Sequence, residues 1–390
     1  MRILLAFDKF KDACSAPELV ALATDCLTRM NPEVDIRTRP LTDGGEGFVR
    51  ILTAAVEGEI ESLSVSDPLG RPIAAEYGLI QLDRLPPAAR QSLQLPGEAA
   101  LLGIVEMAQA AGLEKVSPDK RNPWHTTTYG VGQILRAVAA RGVDGILLGL
   151  GGSATNDLGF GALAALRKGT EPVPPGWVFP HHWPHHPIPF QPSGLIAMPP
   201  LRFACDVDHP LLGERGATAV FGPQKGLPKS EVSRMDRALA DQAAALEKLF
   251  AVEARGRDEA GAGAAGGLSF GLKIAFGGMR IAGATLVSEW QNWTDNLAWA
   301  DVVITGEGRV DDGFFHGKGP GALARAALAQ GKTVHVFCGS LDANVVNPAP
   351  GKLHLHSITP PGTPLPQALA ETRTNLLRSL EGRMGGKDEG

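Results

Sequence analysis

The stretch Gly145-Ile146-Leu147-Leu148-Gly149-Leu150-Gly151-Gly152-Ser153-Ala154-Thr155-Asn156-Asp157 joins an apolar segment to a glycine-rich polar one, and a helical pattern follows. The apolar part predicts a buried strand, so the whole reads as a strand–loop–helix junction of an α/β fold. Glycines allow a backbone to approach a ligand closely, and the first N–H groups of a helix attract anions. The stretch therefore favours a phosphate or carboxylate site. The alternative is a tight connection whose polar residues only cap the helix.

Other charged loops follow apolar segments in the same way, at residues 7–11, 42–47 and 305–311. In open α/β sheets, ligands bind outside the carboxyl ends of the strands. Because the loops carry carboxylates and some carry cations, together they predict one polar cleft. Each loop alone reads equally as a solvated turn between a strand and a helix.

Length and composition narrow the class of protein. With 390 residues the chain predicts two domains, and 44% hydrophobic and 20% charged residues are ordinary for a globular protein. A net charge of −5 argues against a nucleic-acid partner or an anionic membrane surface. No apolar run is long enough for a membrane span, no secretory signal is evident, and the four cysteines are widely spaced. We therefore expect a cytoplasmic protein with reduced thiols.

The order of predicted elements suggests how the chain is divided. Strands alternate with helices near both termini, whereas residues 60–80 alternate in polarity around an Asp-Pro-Leu-Gly turn, which predicts a β-hairpin. We expect a Rossmann-like α/β domain with a parallel sheet, built from residues 1–60 and 285–390. An inserted mixed α/β domain would then comprise residues 61–284.

Several local patterns carry further expectations. The apolar residues Ile104, Val105, Met107 and Ala108 predict a helix, and residues 230–252 predict a long helix capped by Ser230. Residues 301–304 predict a strand that ends before a glycine loop at 305–311. Prolines surround the histidines at 181, 182, 185 and 186, which favours a surface loop over a zinc site on a helix.

Two segments match parts of nucleotide-binding motifs but lack the flanking strand or helix that those motifs require. Gly261-Ala262-Gly263-Ala264-Ala265-Gly266 matches the G-x-G-x-x-G pattern, but no strand precedes it. Gly331-Lys332-Thr333 resembles the end of a P-loop, but a strand pattern follows instead of a helix. Neither segment therefore predicts a nucleotide site.

What remains is a set of loop residues of the types that phosphoryl transfer uses. Carboxylates hold Mg²⁺ or accept the alcohol proton, and cations with backbone N–H groups meet phosphate oxygens. Which aspartate is the base stays open. The carboxylates are Asp8, Asp43, Glu46, Asp157, Asp206, Asp208, Glu307 and Asp311, and the cations are Lys9, Lys11, Lys225 and Arg309.

At these residues the chain closely resembles the type I glycerate kinase family. The resemblance rests on segments such as Leu41-Thr42-Asp43-Gly44-Gly45-Glu46-Gly47 and Phe221-Gly222-Pro223-Gln224-Lys225-Gly226. All of them occur in the family's order over nearly the whole chain. The matching segments span residues 6–11, 41–47, 120–123, 126–130, 151–157, 204–207, 219–226, 261–267 and 303–309.

The resemblance implies an enzyme that phosphorylates D-glycerate with ATP and Mg²⁺, with its site in the cleft between two α/β domains. It leads us to favour 2-phosphoglycerate over 3-phosphoglycerate as product, and a homo-oligomer is compatible with it. The implied catalytic residues are Asp8, Lys11, Asp43, Asp206 and Arg309. The implied substrate- and phosphate-binding residues are Gly44, Gly45, Gly151, Gly152, Ser153, Thr155, Asn156, Lys225, Gly306 and Gly308. The implied metal ligands are Asp157, Asp206 and Glu307.

The chain departs from the family pattern at two places near these residues. Lys9 stands where the family usually has serine, and residues 311–320 replace the usual Asp-Gly-Gln-Thr and Gly-Lys-Thr-Pro runs. These changes bear on substrate preference more than on the type of reaction. The alternatives are a non-catalytic binder of a phosphorylated acid and a phosphatase acting on phosphoglycerate.

Overall fold

The computed structural model describes residues 1–169, 192–252, 256–317 and 319–384. The predicted surface loop with its four closely spaced histidines lies outside these ranges.

Strands and helices alternate along most of the described chain. The strands are β1 (Arg2–Phe7), β2 (Asp35–Thr38), β3 (Glu59–Ser66), β4 (Pro72–Gln81), β5 (Leu101–Glu106), β6 (Gly145–Gly149), β7 (Leu201–Ala204), β8 (Met279–Ile281), β9 (Val302–Val310), β10 (Thr333–Leu341) and β11 (Leu353–Ser357). The helices are α1 (Ala16–Met30), α2 (Phe48–Ala55), α3 (Pro87–Leu93), α4 (Ala108–Ala111), α5 (Tyr129–Ala140), α6 (Phe160–Ala165), α7 (Ala217–Phe221), α8 (Val232–Phe250), α9 (Leu268–Phe276), α10 (Gly283–Trp290), α11 (Trp293–Trp299), α12 (Pro320–Ala329), α13 (Leu365–Ala370) and α14 (Thr372–Met384).

The chain divides into two compact units. The first comprises Met1–Asp43 and the described residues from Val287 onwards, and the second comprises Gly44–Leu286. The boundary lies between Asp43 and Gly44, whereas the sequence suggested residue 60. The difference arises because α2 packs on β4 and β5 of the second unit and so belongs with them.

The first unit contains a parallel sheet with the strand order β11-β10-β9-β1-β2. Its interior strand β1, between β9 and β2, is apolar at successive positions because both faces are covered. Ile3 and Leu5 pack in a cluster with α1 and α14, and Leu4 and Ala6 pack in another cluster with α12. The predicted α/β class with a parallel sheet built from both termini is thereby confirmed.

Helix α1 begins where the sequence predicts. The Ser15 side chain accepts from the backbone N–H of Glu18, and the Glu18 carboxylate accepts from the N–H of Ser15 at 2.9 Å. This reciprocal capping box satisfies N–H groups that the helix itself leaves unpaired. The Ser15 hydroxyl, which donates to the Glu18 carboxylate at 2.7 Å, the Ser15 N–H and the Arg373 side chain lower the pKa of Glu18 to about 2.

The second unit contains a mixed sheet with the order β3-β4-β5-β6-β7-β8. The predicted hairpin is present as the antiparallel pair β3 and β4, and β5 to β8 run parallel to one another. The segment predicted as a helix around Ile104 is the strand β5, and only α4 after it is helical. A short apolar run cannot be distinguished as helix or strand by periodicity alone, and here burial between β4 and β6 selects the strand.

Two other boundaries differ from expectation. Helix α8 begins at Val232 after a short 3₁₀ turn, and no side chain caps it, so the predicted Ser230 cap is wrong. Strand β9 continues to Val310 because it pairs with β10 as far as Leu341. Residues 305–310 therefore belong to the sheet and are not the predicted loop.

The described cysteines and helices can be compared with the composition. Each of the four cysteines is a free, buried thiol, as predicted. Among the helices of the described ranges, none combines the length and the hydropathy that crossing a bilayer would require.

Candidate active site

Two of the predicted glycine turns meet in the second unit. The backbone N–H of Gly151, after β6, donates to the carbonyl of Gly44 at 2.9 Å. A Cβ on Gly151 would lie 2.6 Å from the backbone of Gly45, and one on Gly44 would lie 3.1 Å from the carbonyl oxygen of Ala204 at the end of β7. Glycine is required at this junction because two backbones approach too closely for side chains.

The glycine-rich segment that follows β6 is exposed at its start and buried at its end. Gly152 is exposed, Gly151 and Ser153 are half-buried, and Thr155 and Asn156 are buried. The Asn156 side-chain amide donates to Thr218 Oγ1 at 2.9 Å. Of the predicted binding residues in this segment, the first three are accessible to a ligand. The last two hold the segment in place.

Asp157 is a buried carboxylate at the start of α6. Its oxygens accept from the N–H and hydroxyl of Thr128 at 2.8 and 2.9 Å and from the N–H groups of Gly159 and Gly161 at 3.1 and 3.2 Å. Burial raises the pKa of Asp157, and these hydrogen bonds oppose the rise. The helix N-terminus that was expected to attract a substrate anion therefore already holds a carboxylate of the protein.

Lys225 is buried beneath the same segment. Its Nζ donates to Ser153 Oγ at 2.8 Å and to the carbonyl of Thr155 at 2.7 Å. Burial lowers the pKa of Lys225 to about 7, and the nearby Asp157 raises it in the opposite direction. The predicted phosphate-binding lysine thus contacts the loop itself, and one of its two partners is the hydroxyl of the half-buried Ser153.

Asp206 follows β7 and is half-buried. Its Oδ2 accepts from the backbone N–H of Ala284 at 2.9 Å. A cavity of about 250 Å³ adjoins this strand end, with apolar walls that include Leu150, Phe203 and Phe270 and with Arg280 among its lining residues. An apolar cavity beside charged groups suits a flat ring better than a carboxylate.

The segment Gly261–Gly267 serves packing, in line with its rejection as a dinucleotide fingerprint. A Cβ on Gly266 would lie 2.1 Å from the carbonyl oxygen of Thr155, and one on Gly263 would lie 2.3 Å from that of Pro210. Its glycines therefore allow this segment to lie directly on the backbone beside the Gly151 loop.

In the first unit, acidic side chains gather at the carboxyl ends of β1 and β9. The backbone N–H of Asp8 donates to the carbonyl of Gly306 at 2.9 Å, which places Asp8 beside Glu307. Burial raises the pKa of Glu307 to about 7, and the negative charges of Asp8 and Asp311 add to the rise. A carboxyl group with such a pKa can exchange a proton near neutral pH.

The remaining predicted residues of the first unit take separate positions. Lys11 and Asp43 are exposed, and the N–H of Leu41 donates to the carbonyl of Phe7, which brings the turn before Asp43 to the end of β1. Arg309 is exposed and pairs with Asp342 at 2.8 Å. Gly306 and Gly308 lie within β9, where a Cβ on Gly306 would lie 1.9 Å from the carbonyl oxygen of Phe337. The sheet therefore requires glycine at 306, whereas a Cβ on Gly308 would lie at an ordinary contact distance of 3.6 Å from Lys11 N.

The predicted metal ligands differ in their suitability for Mg²⁺. Within the described residues, no group of three or more histidine, cysteine, aspartate and glutamate side chains is arranged to hold a metal ion. The oxygens of Asp157 are committed to the hydrogen bonds of α6, so the structure gives that residue an internal role. Asp206 is half-buried at a strand end, and Mg²⁺ commonly takes only one or two protein carboxylates besides phosphate oxygens. Asp206 is therefore the more accessible of these two carboxylates.

Sequence reasoning missed two residues of this site. Thr128 binds both oxygens of Asp157 and donates its hydroxyl to them, and the buried Glu106 at the end of β5 accepts from Val49 N at 3.2 Å, at the start of α2. Thr128 lies in a segment that was noted only as part of the family resemblance. Nothing in the local pattern distinguishes either residue from an ordinary polar residue.

Comparisons with known proteins point in one direction. A family model described as the glycerate kinase family matches residues 3–176 and 188–384. Glycerate kinase of Bacillus subtilis is 37% identical over 97% of this chain and 96% of its own length. Glycerate 2-kinase of Escherichia coli is 33% identical over 92% of this chain and 89% of its own. A crystal structure from Salmonella typhimurium LT2, named as a candidate glycerate kinase 2, superposes with a TM-score of 0.68 at 32% identity and covers 99% of this chain and 97% of its own.

Proposed function

This chain belongs to the glycerate kinase family, and we propose that it transfers the terminal phosphoryl group of ATP to D-glycerate to form 2-phosphoglycerate. The observation that carries the proposal is the accessible, glycine-rich backbone at Gly151–Ser153, which is joined to the Gly44 turn at the carboxyl ends of β6 and β7. Such a backbone offers N–H and hydroxyl donors to phosphate oxygens without side chains that would block them.

The reaction requires little covalent chemistry from the protein. A glycerate hydroxyl attacks the terminal phosphorus of ATP, the bond from that phosphorus to the bridging oxygen breaks, ADP leaves, and the hydroxyl proton moves to a base. Asp43 and Asp206 are the carboxylates that we propose for proton and Mg²⁺ contacts, since each lies in a turn past a strand. Mg²⁺ held by Asp206 would neutralise charge on the phosphate oxygens.

The first unit carries charged residues of its own for which we propose roles in the reaction. Lys11 and Arg309 are exposed cations that can meet phosphate or carboxylate oxygens, and Asp8 directly follows the carboxyl end of β1. Glu307 differs from the other carboxylates because its pKa of about 7 leaves it partly protonated at neutral pH. We propose a proton-exchanging role for Glu307 in place of the metal role suggested by the family resemblance.

The nucleotide and the product can each be assigned one step further. For the purine ring of ATP we propose the cavity beside β7, whose walls are apolar and aromatic at Phe203 and Phe270. For the product, the choice of 2-phosphoglycerate is supported by a relative that is named glycerate 2-kinase. The cytoplasmic location and the homo-oligomer stay predictions of the sequence.

One incubation tests the proposal and its alternatives. The protein is mixed with MgATP and D-glycerate, and NMR follows ADP and the phosphorylated carbon, which distinguishes 2- from 3-phosphoglycerate. A parallel incubation with phosphoglycerate alone measures released phosphate. We expect 2-phosphoglycerate in equal amount to ADP. Phosphate release without ATP use would identify a phosphatase, and no turnover with measurable ligand binding would identify a non-catalytic binder.

A further inference from the structure

The contact between Lys225 and Ser153 joins residues that are 72 positions apart in the chain. Lys225 is 2% exposed, and its Nζ donates to two neutral oxygens, Ser153 Oγ and the Thr155 carbonyl. Burying an ammonium group is costly unless it is well paired. If the only role of Lys225 were to hold the loop closed, a neutral side chain could do so at a lower desolvation cost. A role in ligand binding accounts better for a buried lysine here.

The direction of this hydrogen bond restricts Ser153. A protonated lysine has only donors, so Ser153 Oγ must accept from it. The Ser153 hydroxyl then has to point its own proton towards another acceptor. Ser153 is half-buried, next to the exposed Gly152, so that proton is available to a ligand at the accessible part of the loop.

We propose that Lys225 is a positioning residue that orients the Ser153 hydroxyl as a donor to an anionic oxygen of a substrate. The proposal rests on the kinase function above, since it concerns the substrate contact at the same loop. The oxygen belongs either to a phosphate of ATP or to the carboxylate of glycerate. Both sources present the same chemistry, and the experiment below separates them.

Protonation of the lysine governs this orientation. A neutral amine can accept a hydrogen bond, so loss of the lysine proton allows Ser153 to turn its hydroxyl inward. Burial lowers the pKa of Lys225 to about 7, so the lysine loses its proton within the pH range in which most enzymes work. The charged group that faces Lys225 is Asp157, and the backbone of Arg121 packs against the next residue, Gly226. Binding of an anion at Ser153 favours the ammonium form and takes up a proton.

The decisive measurement is the KM for each substrate between pH 6 and 9. We expect the KM of one substrate to rise above pH 7, by at most about tenfold per pH unit for a single linked proton, while the other stays flat. Ser153→Ala should raise that same KM roughly tenfold at pH 6.5 and flatten its pH profile. Ser153→Thr should keep the wild-type KM and the wild-type pH profile, because it retains a hydroxyl. The affected substrate, ATP or glycerate, identifies the anionic oxygen.

The lysine is tested with a matched control. Lys225→Met should flatten the same pH profile, whereas Lys229→Met, at an exposed lysine on the neighbouring turn, should leave it unchanged. If Lys225→Met does not fold, calorimetric titration of the wild-type protein with ATP, D-glycerate and inorganic phosphate in two buffers of different ionisation enthalpy replaces it. Proton uptake that Ser153→Ala abolishes supports the proposal.

Two results would overturn it: wild-type KM values that are flat with pH for both substrates, or a Ser153→Ala variant that retains the wild-type pH profile. The calorimetric arm does not depend on turnover. A wild-type protein that binds these ligands with proton uptake but forms no phosphoglycerate would therefore refute the proposed function and leave the Lys225 proposal standing.

Discussion

The N–H of Gly151 donates to the carbonyl of Gly44 at 2.9 Å, so two glycine turns that are distant in the chain share one backbone hydrogen bond. This bond explains why Gly151 has no room for a side chain. It also places the accessible backbone of Gly152 and Ser153 at the carboxyl ends of β6 and β7.

Gly151→Ala should destabilise the second unit because its Cβ would lie 2.6 Å from Gly45. We expect a loss of about 1–3 kcal/mol in the free energy of unfolding, which urea titration measures. Gly97→Ala is the control, since a Cβ there meets nothing within 4 Å and Gly97 has no positive φ. Equal stability of the two variants would contradict the close approach of the turns.

Gly152→Val should weaken substrate binding beyond its effect on stability. The φ of Gly152 is 73°, so a β-branched side chain is strained there, and its Cβ would lie 3.2 Å from Glu46 Oε1. Gly142→Val is matched in strain, with a φ of 70° and nothing within 4 Å. Gly142→Val thus controls for the backbone strain alone, and we expect a raised KM only for Gly152→Val, beyond any lower melting temperature that its contact with Glu46 causes. Unchanged KM values for both substrates would place the ligand elsewhere.

Asp157→Asn and Asp206→Asn should fail in different ways. The groups that contact the buried Asp157 carboxylate are hydrogen-bond donors. The side-chain NH₂ of an asparagine would therefore face N–H groups, and we expect a loss of about 2–5 kcal/mol in the free energy of unfolding. Asp206→Asn retains an oxygen for Ala284 N and should melt normally, with kcat reduced roughly 10²–10³-fold. A normally folded Asp157→Asn protein with weakened Mg²⁺ dependence would restore the metal role of Asp157.

Glu307 should make the stability of the first unit depend on pH. Its pKa in the folded state is raised to about 7, so the folded protein binds its proton more tightly than the unfolded chain. The stabilisation is present below pH 4.5 and is lost as the pH rises through 7, with a slope of at most about 1.4 kcal/mol per pH unit. Glu307→Gln should flatten the fall in melting temperature between pH 5 and 8. A wild-type protein equally stable at both ends would show that burial does not perturb this carboxyl group.

Arg309 and Asp342 form an exposed pair, and the two residues can be tested against each other. If the Arg309 guanidinium meets substrate oxygens, Arg309→Gln should lower kcat roughly 10²–10³-fold, as the loss of one charge-stabilising donor does. Asp342→Asn removes the partner and leaves the guanidinium, so its kcat should stay within a few-fold of the wild-type value. Both variants should melt normally, because exposed ion pairs contribute little to stability. Equal effects on kcat would instead show that the pair acts as one structural unit.

Local patterns were sufficient for the parts of the fold that depend on neighbours in the chain. The capping box of Ser15 and Glu18, the hairpin of β3 and β4, and the apolar run of β1 each follow from residues a few positions apart. The same holds for the α/β class, since alternating strand and helix patterns leave few other architectures. The family resemblance likewise depends on the order of segments along the chain, and the comparisons confirm it.

Long-range packing was needed for the rest. Pairing with β10 makes Gly306 and Gly308 part of a strand, and burial beside α6 brings the Asp157 carboxylate to Thr128. The contact of Lys225 with Ser153 has no local signature either. Hydrogen bonds and burial between distant segments depend on how those segments pack in space. The neighbours of a residue in the sequence do not determine that packing. The chemical role of a carboxylate or an ammonium group depends on this packing. Burial and hydrogen-bond partners determine its pKa and decide which of its donors or acceptors remain available to a ligand.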